Sequence, residues 1–537
     1  MSTHRIVARE PRGDAGPVSL ETSADAVAPH LEDAAHYPGG RADAIARPRT
    51  EAQVASLVTR ATRVLPIGAQ SSVTGGATPT GGLLISTGQL TSIQESGQAE
   101  IRAEAGVSLD ALQNLLSATG RWYAPTPTWT GAFVGGVVST NAAGAATFKY
   151  GTTRDWVTGL TVVLACGHVL DVRRGDVTAD PDTGFLIDCP CGERRVRPGT
   201  YRMPDVPKCS AGYFARPGMD LIDLFVGSEG TLGVITAATL RVLSHQPAVA
   251  LAVVPVTSEP EGLALVAELR RQARNTWRRG DAHGIDVRAI ESLDRRCLEL
   301  LREDGADRRH DVHLPATTAL ALIVHLELPG ETTPAEAFDV VAGAFAPDAP
   351  DHPIGRFCRL LRDHGAFDAT ELAMPGDARR AAQVLAFREA APLGVNHRIA
   401  LAKQAVDARL EKTAADMVVP FERLPEMLAC YHDGYGRRGL DHAIWGHVSD
   451  GNLHPNVIPR TFDDMVAARE AILEFGREAI RLGGSPLAEH GVGRSPTKQA
   501  LLRMLYGDRG IEEMRAIKAA LDPEGKLAPG VLFPASG

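Results

Sequence analysis

Three glycine-rich loops, each tied to a β-rich run, fall in the first half of this chain and limit its fold more than any other feature. They are PIGAQSSVTGG at 66–76, GAFVGGVVSTNAAGAATFKYG at 131–151 and DLFVGSEGTLGVIT at 223–236. Such loops offer backbone N–H groups without side-chain bulk, which suits a pyrophosphate. Any one of them could equally be a tight turn, but three in succession favour a bound ligand. The spacing is neither GxGxxG after a first strand nor GxxxxGK[ST], so a Rossmann or P-loop fold is disfavoured.

A chain of 537 residues predicts two or three domains. The net charge is −9 and the basic residues are dispersed, which argues against nucleic acid as a partner. No apolar run reaches the roughly eighteen residues of a membrane span. The N-terminus, MSTHRIVAREPRGDAGPV, has no apolar core region, and its acidic residues weigh against a transit peptide. A cytoplasmic protein is expected, with peripheral membrane contact left open. Seven cysteines at irregular spacings fit reduced thiols. Cys189 and Cys191 lie in an insertion around 175–207, with Cys209 beyond it, and a metal or redox site is the alternative reading for them. Two close thiols do not complete a tetrahedral ligand set, so inert thiols in an insertion loop are expected there. Of the 56 basic residues only seven are lysines, at 149, 208, 403, 412, 498, 518 and 526. Each retained Lys hints that a compact ammonium is wanted.

Local patterns give the elements. A Thr50-capped helix with Glu51 in its first turn leads into a strand over 64–70. A strand and a Ser108-capped helix occupy 99–120, and 159–172 reads as a hairpin around Cys166-Gly167-His168. After about 246, strand-like runs alternate with amphipathic helices, which predicts an antiparallel sheet covered by helices. Residues 1–34 read as a loose arm or peripheral helix, and 303–317 as a surface loop. The predicted divisions are an arm (1–34), a ligand-binding domain (35–245), a second α+β domain (246–485) and a C-terminal segment (486–537) docked on another part of the chain.

The chemistry concentrates in HVSDGNLH, His447 to His454, and AEHG, Ala488 to Gly491. With Asp450-Gly451 as a two-residue turn, Ser449 pairs with Asn452, Val448 with Leu453 and His447 with His454. Opposed residues lie about 4.5–5.5 Å apart, close enough for two imidazoles to share a metal. Glu489 then offers a carboxylate ligand and His490 a base, the composition of an open catalytic metal site. The bland alternative is a hairpin whose histidines close strand ends, beside a structural His490. A bend at Gly491 is needed to aim His490 inward. Asn456, two residues beyond His454, would share its face.

These motifs, with KTAADMVVP, KYG, DWVTGLTVVLACG and DPEGKLAPG, together resemble the FAD-linked oxidases and dehydrogenases of the vanillyl-alcohol oxidase type, over about residues 35–535. The likeness is greatest to the branch holding D-lactate dehydrogenase, D-2-hydroxyglutarate dehydrogenase and the flavin subunit of glycolate oxidase. The resemblance implies an α+β fold: a PCMH-type FAD-binding domain of two subdomains, an antiparallel-sheet substrate (cap) domain, and a C-terminal segment returning to the flavin. It implies that Pro66, Gly68, Ala69, Gln70, Ser71 and Ser72 line the FAD pyrophosphate. Pro125, Gly131, Gly135, Gly136, Asn141, Gly144, Tyr150 and Gly151 would make a second flavin contact, and Glu229, Gly230, Gly233 and Ile235 would lie near the adenine–ribose end. Gln70 stands where covalently flavinylated relatives often carry His, so FAD is expected to be non-covalent.

By the same resemblance His447, His454 and Glu489 would bind a divalent metal, zinc with manganese as the alternative. Arg388 would bind the substrate carboxylate, with Lys412 beside it. Pro392 and Ala528 depart from the Thr and Asn that relatives tend to carry. The implied activity is oxidation of a D-2-hydroxy acid, D-lactate-like, to the 2-oxo acid, with His490 as base. D-2-hydroxyglutarate or glycolate as substrate, and a non-redox reaction like that of alkylglycerone-phosphate synthase, are the alternatives. A quinone, a cytochrome or an electron-transfer protein would accept the electrons, and homodimerisation is left open.

Overall fold

A computed structural model describes residues 3–125, 127 and 129–534. The chain divides into two compact units, one of residues 1–144, 151–244 and 485–537, the other of 145–150 and 245–484.

The first unit opens on a sheet ordered Leu20–Glu21, Ala44–Ala46, Leu83–Ser86, Val64–Ile67, parallel across its last three strands. Helix Glu51–Arg60 connects two of them. The Thr50 hydroxyl accepts from the Gln53 N–H at 3.2 Å, and Glu51 lies in the first turn, where the helix dipole favours a carboxylate. Its apolar face, Val54, Ala55, Leu57 and Val58, packs with Val64, Ile85, Val163, Val169 and Leu527. Leu527 reaches this core because the C-terminal segment runs alongside Val64. The Val64 N–H donates to the Lys526 carbonyl at 2.8 Å, and the Val64 carbonyl accepts from the Ala528 N–H at 2.7 Å.

A second sheet of this unit is antiparallel, ordered Val169–Arg173, Val157–Val163, Val234–Arg241, Glu100–Glu104, Ile93–Glu95. Its first two strands form the expected hairpin, Val163 facing Val169, with Gly167 at φ 87° in the turn. Helix Leu109–Ser117 has Ser108 as its cap. Two regions differ from the sequence reading. The N-terminal arm is woven in: Arg5–Val7 pairs in parallel with Phe185–Cys189, and Leu20–Glu21 edges the first sheet. The 175–207 insertion holds an antiparallel hairpin, Phe185–Cys189 against Gly192–Val196, turned at Pro190-Cys191. Proline presets φ for such a turn, and two short β-rich runs flank it.

The second unit is built on an eight-stranded sheet. Its main path is Glu371–Ala373, Ala248–Val256, Leu320–Leu328, Asp286–Asp294, His442–His447, Asn452–Val457, Thr413–Ala414, with Met417–Val418 also on Asn452–Val457. The pairings are antiparallel. Every residue of Leu320–Leu328 is buried, as in a central strand covered on both faces. Helices Arg295–Glu303 and Ala378–Ala405 cover one side through Leu298, Leu301, Phe387 and Val395, which pack with Ile323 and Trp445. The 303–317 stretch is not all loop. Ala306–Arg309 makes a helical turn, because Ala306 and Val312 are drawn into that same core. Among the described residues no helix is long and apolar enough to cross a membrane.

Candidate active site

All three glycine-rich loops of the first unit face one cavity of about 380 Å³. Pro66, Gly68, Ala69, Gln70, Ser71 and Ser72 line it from the first loop, and Gly135 and Gly136 from the second. Glu229, Gly230, Gly233 and Ile235 line it from the third. Gly136 lies in helix Val134–Ser139, and a Cβ there would meet nothing within 4 Å. A Cβ on Gly135, by contrast, would come within 2.7 Å of the Ala105 Cβ, so this glycine permits helix–strand contact. Gln70 has φ 51°, and its amide donates to the His30 and Ala77 carbonyls at 3.0 Å, pinning the first loop. A cradle of main-chain groups with an open glycine floor fits a dinucleotide cofactor.

Pro125, Gly131, Asn141, Gly144, Tyr150 and Gly151 are not among the lining residues described. Pro125 is buried, and the Trp129 ring closes over Gly131. Asn141, at φ 49°, accepts from the Arg154 N–H at 2.9 Å. The Gly144 carbonyl accepts from Lys208 at 3.4 Å. Gly151 has φ 73° beside Asp155. Tyr150 belongs to the second unit, where its hydroxyl donates to Glu327 at 2.7 and 2.8 Å.

Glu489 and His490 line the same cavity. Gly491 is left-handed, φ 76°, and Gly493 has φ 58°, the bend the sequence called for. Glu229 clamps it, its carboxylate accepting from the Val492 and Gly493 N–H groups, each at 2.8 Å. Burial raises the pKa of Glu229 above the usual carboxylate range, and the two N–H donors oppose that shift. The Glu489 Oε2 accepts from Lys208 Nζ at 3.0 Å, and its Oε1 lies 3.5 Å from His490 Nε2. Lys208 is fully buried. It is a residue the sequence reading did not assign, and its retention as one of seven lysines was the available signal.

His447 and His454 lie together in the second unit, though not by direct pairing. His447 faces Asn452 and Trp445 faces His454, so the hairpin register differs from expectation by two residues. The cause is the turn. A type I′ turn needs positive φ at both central residues, and of Asp450 and Gly451 only Gly451, φ 77°, has it. Val448–Asp450 instead coils into a 3₁₀ turn, giving a four-residue connection. The shift is even, so both histidines stay on one face as diagonal neighbours. Their ring centroids are 5.5 Å apart at 89°.

Buried carboxylates flank the pair: Glu291 Oε2 lies 3.7 Å from His447 Nδ1, and Asp416 Oδ1 lies 3.5 Å from His454 Nδ1. Neither acid was legible in the sequence, since both arrive from other strands or loops. Arg388, on helix Ala378–Ala405, donates through Nε to Glu291 and through Nη1 to Glu389 at 2.6 Å. Burial opposes the charge on Glu291, yet Arg388 and His447 hold its pKa below the ordinary value. Asn456 is buried, donates through Nδ2 to the His454 carbonyl at 2.8 Å, and has no partner for its Oδ1 among the described residues. Lys412 is exposed beside the strand Thr413–Ala414.

The cavity and its loops define a flavin-binding architecture, and comparison with known proteins makes that specific. Residues 262–532 match the family described as FAD linked oxidases, C-terminal domain, and residues 42–173 match the FAD binding domain. This chain therefore belongs to the FAD-linked oxidases. Glycolate oxidase subunit GlcD of Bacillus subtilis is 29% identical over 503 residues, covering 91% of this chain and 89% of that protein. D-2-hydroxyglutarate dehydrogenase of Xanthomonas citri is 27% identical, covering 91% and 89%. D-lactate dehydrogenase of Archaeoglobus fulgidus is 26% identical, covering 86% and 84%. A solved structure of an alkyldihydroxyacetonephosphate synthase superposes with a TM-score of 0.58 at 15% identity, covering 95% of this chain and 82% of that one, a likeness of fold alone.

Proposed function

We propose that this protein is an FAD-dependent D-2-hydroxyacid dehydrogenase acting on a small, D-lactate-like acid. The carrying observation is that an imidazole, His490, lines the cavity formed by the flavin loops. Bound FAD supplies the two-electron acceptor, and a divalent ion, zinc or manganese, supplies Lewis acidity at the 2-hydroxyl. His490 takes the hydroxyl proton, held by the bend at Gly491 that Glu229 fixes. His447, His454 and Glu489 are the proposed metal ligands. The support is the 5.5 Å approach of the two imidazoles and the chemistry of a two-His, one-carboxylate donor set. Lys208 orients the Glu489 carboxylate. Arg388 is the proposed clamp for the substrate carboxylate. Its Nη2 has no partner among the described residues, and a guanidinium suits a carboxylate by shape. Lys412 and Asn456 complete the substrate side. The electrons pass on to a quinone, a cytochrome or an electron-transfer protein.

The test is anaerobic bleaching of the flavin, and reduction of an artificial dye, by a panel of D- and L-2-hydroxy acids. D-lactate is expected to act, with D-2-hydroxyglutarate and glycolate as the competing substrates. His490→Ala should lower dye reduction by roughly 10²–10⁴-fold, the usual worth of a positioned base, while the flavin stays bound. A rate within twofold of wild type removes His490 from the mechanism. No bleaching by any hydroxy acid overturns the reading altogether.

A further inference from the structure

Three thiols and an imidazole converge in the first unit, outside the flavin cavity. Cys166 and His168 come from the turn between Val157–Val163 and Val169–Arg173, and Cys189 and Cys191 from the turn of the insertion hairpin. Cys191 Sγ lies 3.0 Å from Cys189 Sγ, which lies 3.5 Å from Cys166 Sγ. One ligand atom from each of the four residues falls within 4.8 Å of all the others. Taken alone, Cys189 and Cys191 are two ligands; the fold supplies the other two from a separate hairpin. We infer that Cys166, His168, Cys189 and Cys191 form a structural zinc site that fastens the insertion hairpin to the flavin unit.

Four points of chemistry support it. Tetrahedral zinc with Zn–S bonds of roughly 2.3 Å separates its sulfurs by about 3.8 Å, so the thiols need only a slight outward movement to admit the ion. His168 has one nitrogen for a metal and one for a carboxylate. Its Nδ1 is buried with no hydrogen-bond partner among the described residues, and its Nε2 lies 3.3 Å from Glu10 Oε1. A zinc-bound imidazole characteristically gives its outer N–H to a carboxylate in this way. Three thiolates and a neutral imidazole around a dication leave one excess negative charge. The Arg194 guanidinium, 3.3 Å from Cys191 Sγ, offsets it, while the same side chain donates to the Ala520 carbonyl at 3.1 Å. Finally, all four positions are filled by protein, which marks a closed, structural site rather than a catalytic one. The ion would tie the N-terminal arm, through Arg5–Val7 on Phe185–Cys189, to the hairpin Val157–Arg173.

Zinc K-edge absorption on the FAD-loaded protein, with elemental analysis, tests this independently of the proposed reaction. The sulfur-bound zinc should show three sulfur scatterers at about 2.3 Å and one nitrogen at about 2.0–2.1 Å, and any zinc on His447, His454 and Glu489 adds nitrogen and oxygen scatterers only. Cys191→Ser, at the exposed tip of the hairpin, should lose the sulfur signal and one equivalent of zinc with the flavin retained. His454→Ala, which removes a proposed ligand of the other metal, should leave the sulfur scatterers in place whatever it does to total zinc. Glu10→Gln, which keeps all four ligands, should weaken zinc retention against a chelator by roughly tenfold. Zinc without sulfur scattering, or zinc content unaltered in both Cys191→Ser and Cys189→Ala, overturns the site. An intact mass two hydrogens light, which would mark a disulfide, does so as well.

Discussion

At Gly136 the missing side chain leaves the cavity floor open, and the position tests the flavin assignment without touching the chemistry. A Cβ there meets nothing within 4 Å, and leucine is the better helix former, by somewhat less than the roughly 0.8–1.0 kcal/mol that separates glycine from alanine. Gly136→Leu is therefore expected to fold and to purify without yellow colour. Its circular dichroism should match FAD-stripped wild type, and normal flavin occupancy would show that the cofactor lies elsewhere. Residues of this kind were legible because glycine has few reasons to recur three times at loop ends. His447 and His454 were legible as a pair, although the turn that joins them was misjudged: Asp450-Gly451 has the composition of a type I′ turn but only one positive φ. Glu291, Asp416 and Lys208 were not legible as partners. Each reaches its neighbour from a distant stretch of sequence, and no local pattern encodes such a meeting.

Helices and hairpins were the best-encoded scale, because their signals are local. Thr50 and Ser108 cap the helices they announce, and the alternation over 159–172 became paired strands. The arm and insertion were misread for the opposite reason: Arg5–Val7 is a strand only because Phe185–Cys189 pairs with it. Between helices Glu259–Arg279 and Leu424–Gly436, His432 Nε2 and Glu259 Oε2 lie 3.1 Å apart. This hydrogen bond raises the His432 pKa above its ordinary value, against the effect of burial. A raised folded-state pKa gives stability that is complete below the unfolded imidazole value of about 6.5 and fades as pH rises through the folded one. His432→Gln should lower the urea midpoint at about pH 5.5 by the equivalent of roughly 0.2–1 kcal/mol and leave it unaltered at about pH 8.5. An equal loss at both values would mean that packing, not charge, holds the pair.

At the scale of the molecule, the first unit is assembled from three separate lengths of chain. The docked chain end was read from the sequence, and the resemblance supplied its destination. Composition did not reveal that residues 145–150 go with the second unit. Shortening the protein to residues 1–484 would remove Glu489, His490 and the buried Leu527 beside Val64. The product is expected to lack bound flavin and to elute as aggregate on gel filtration, and a monodisperse yellow fragment would show that the segment is dispensable. The same discontinuity bears on biosynthesis. A ribosome delivers residues 1–244 early, and the strand Val64–Ile67 finds Leu83–Ser86 at once, yet its other edge waits for Leu527. The middle stretch, made in between, can condense first, leaving that edge of the older part exposed until then. Pairing between stretches so far apart in sequence is slow and invites misassembly. Cells making this protein would thus have most need of holding chaperones until the stretch around Leu527 has emerged.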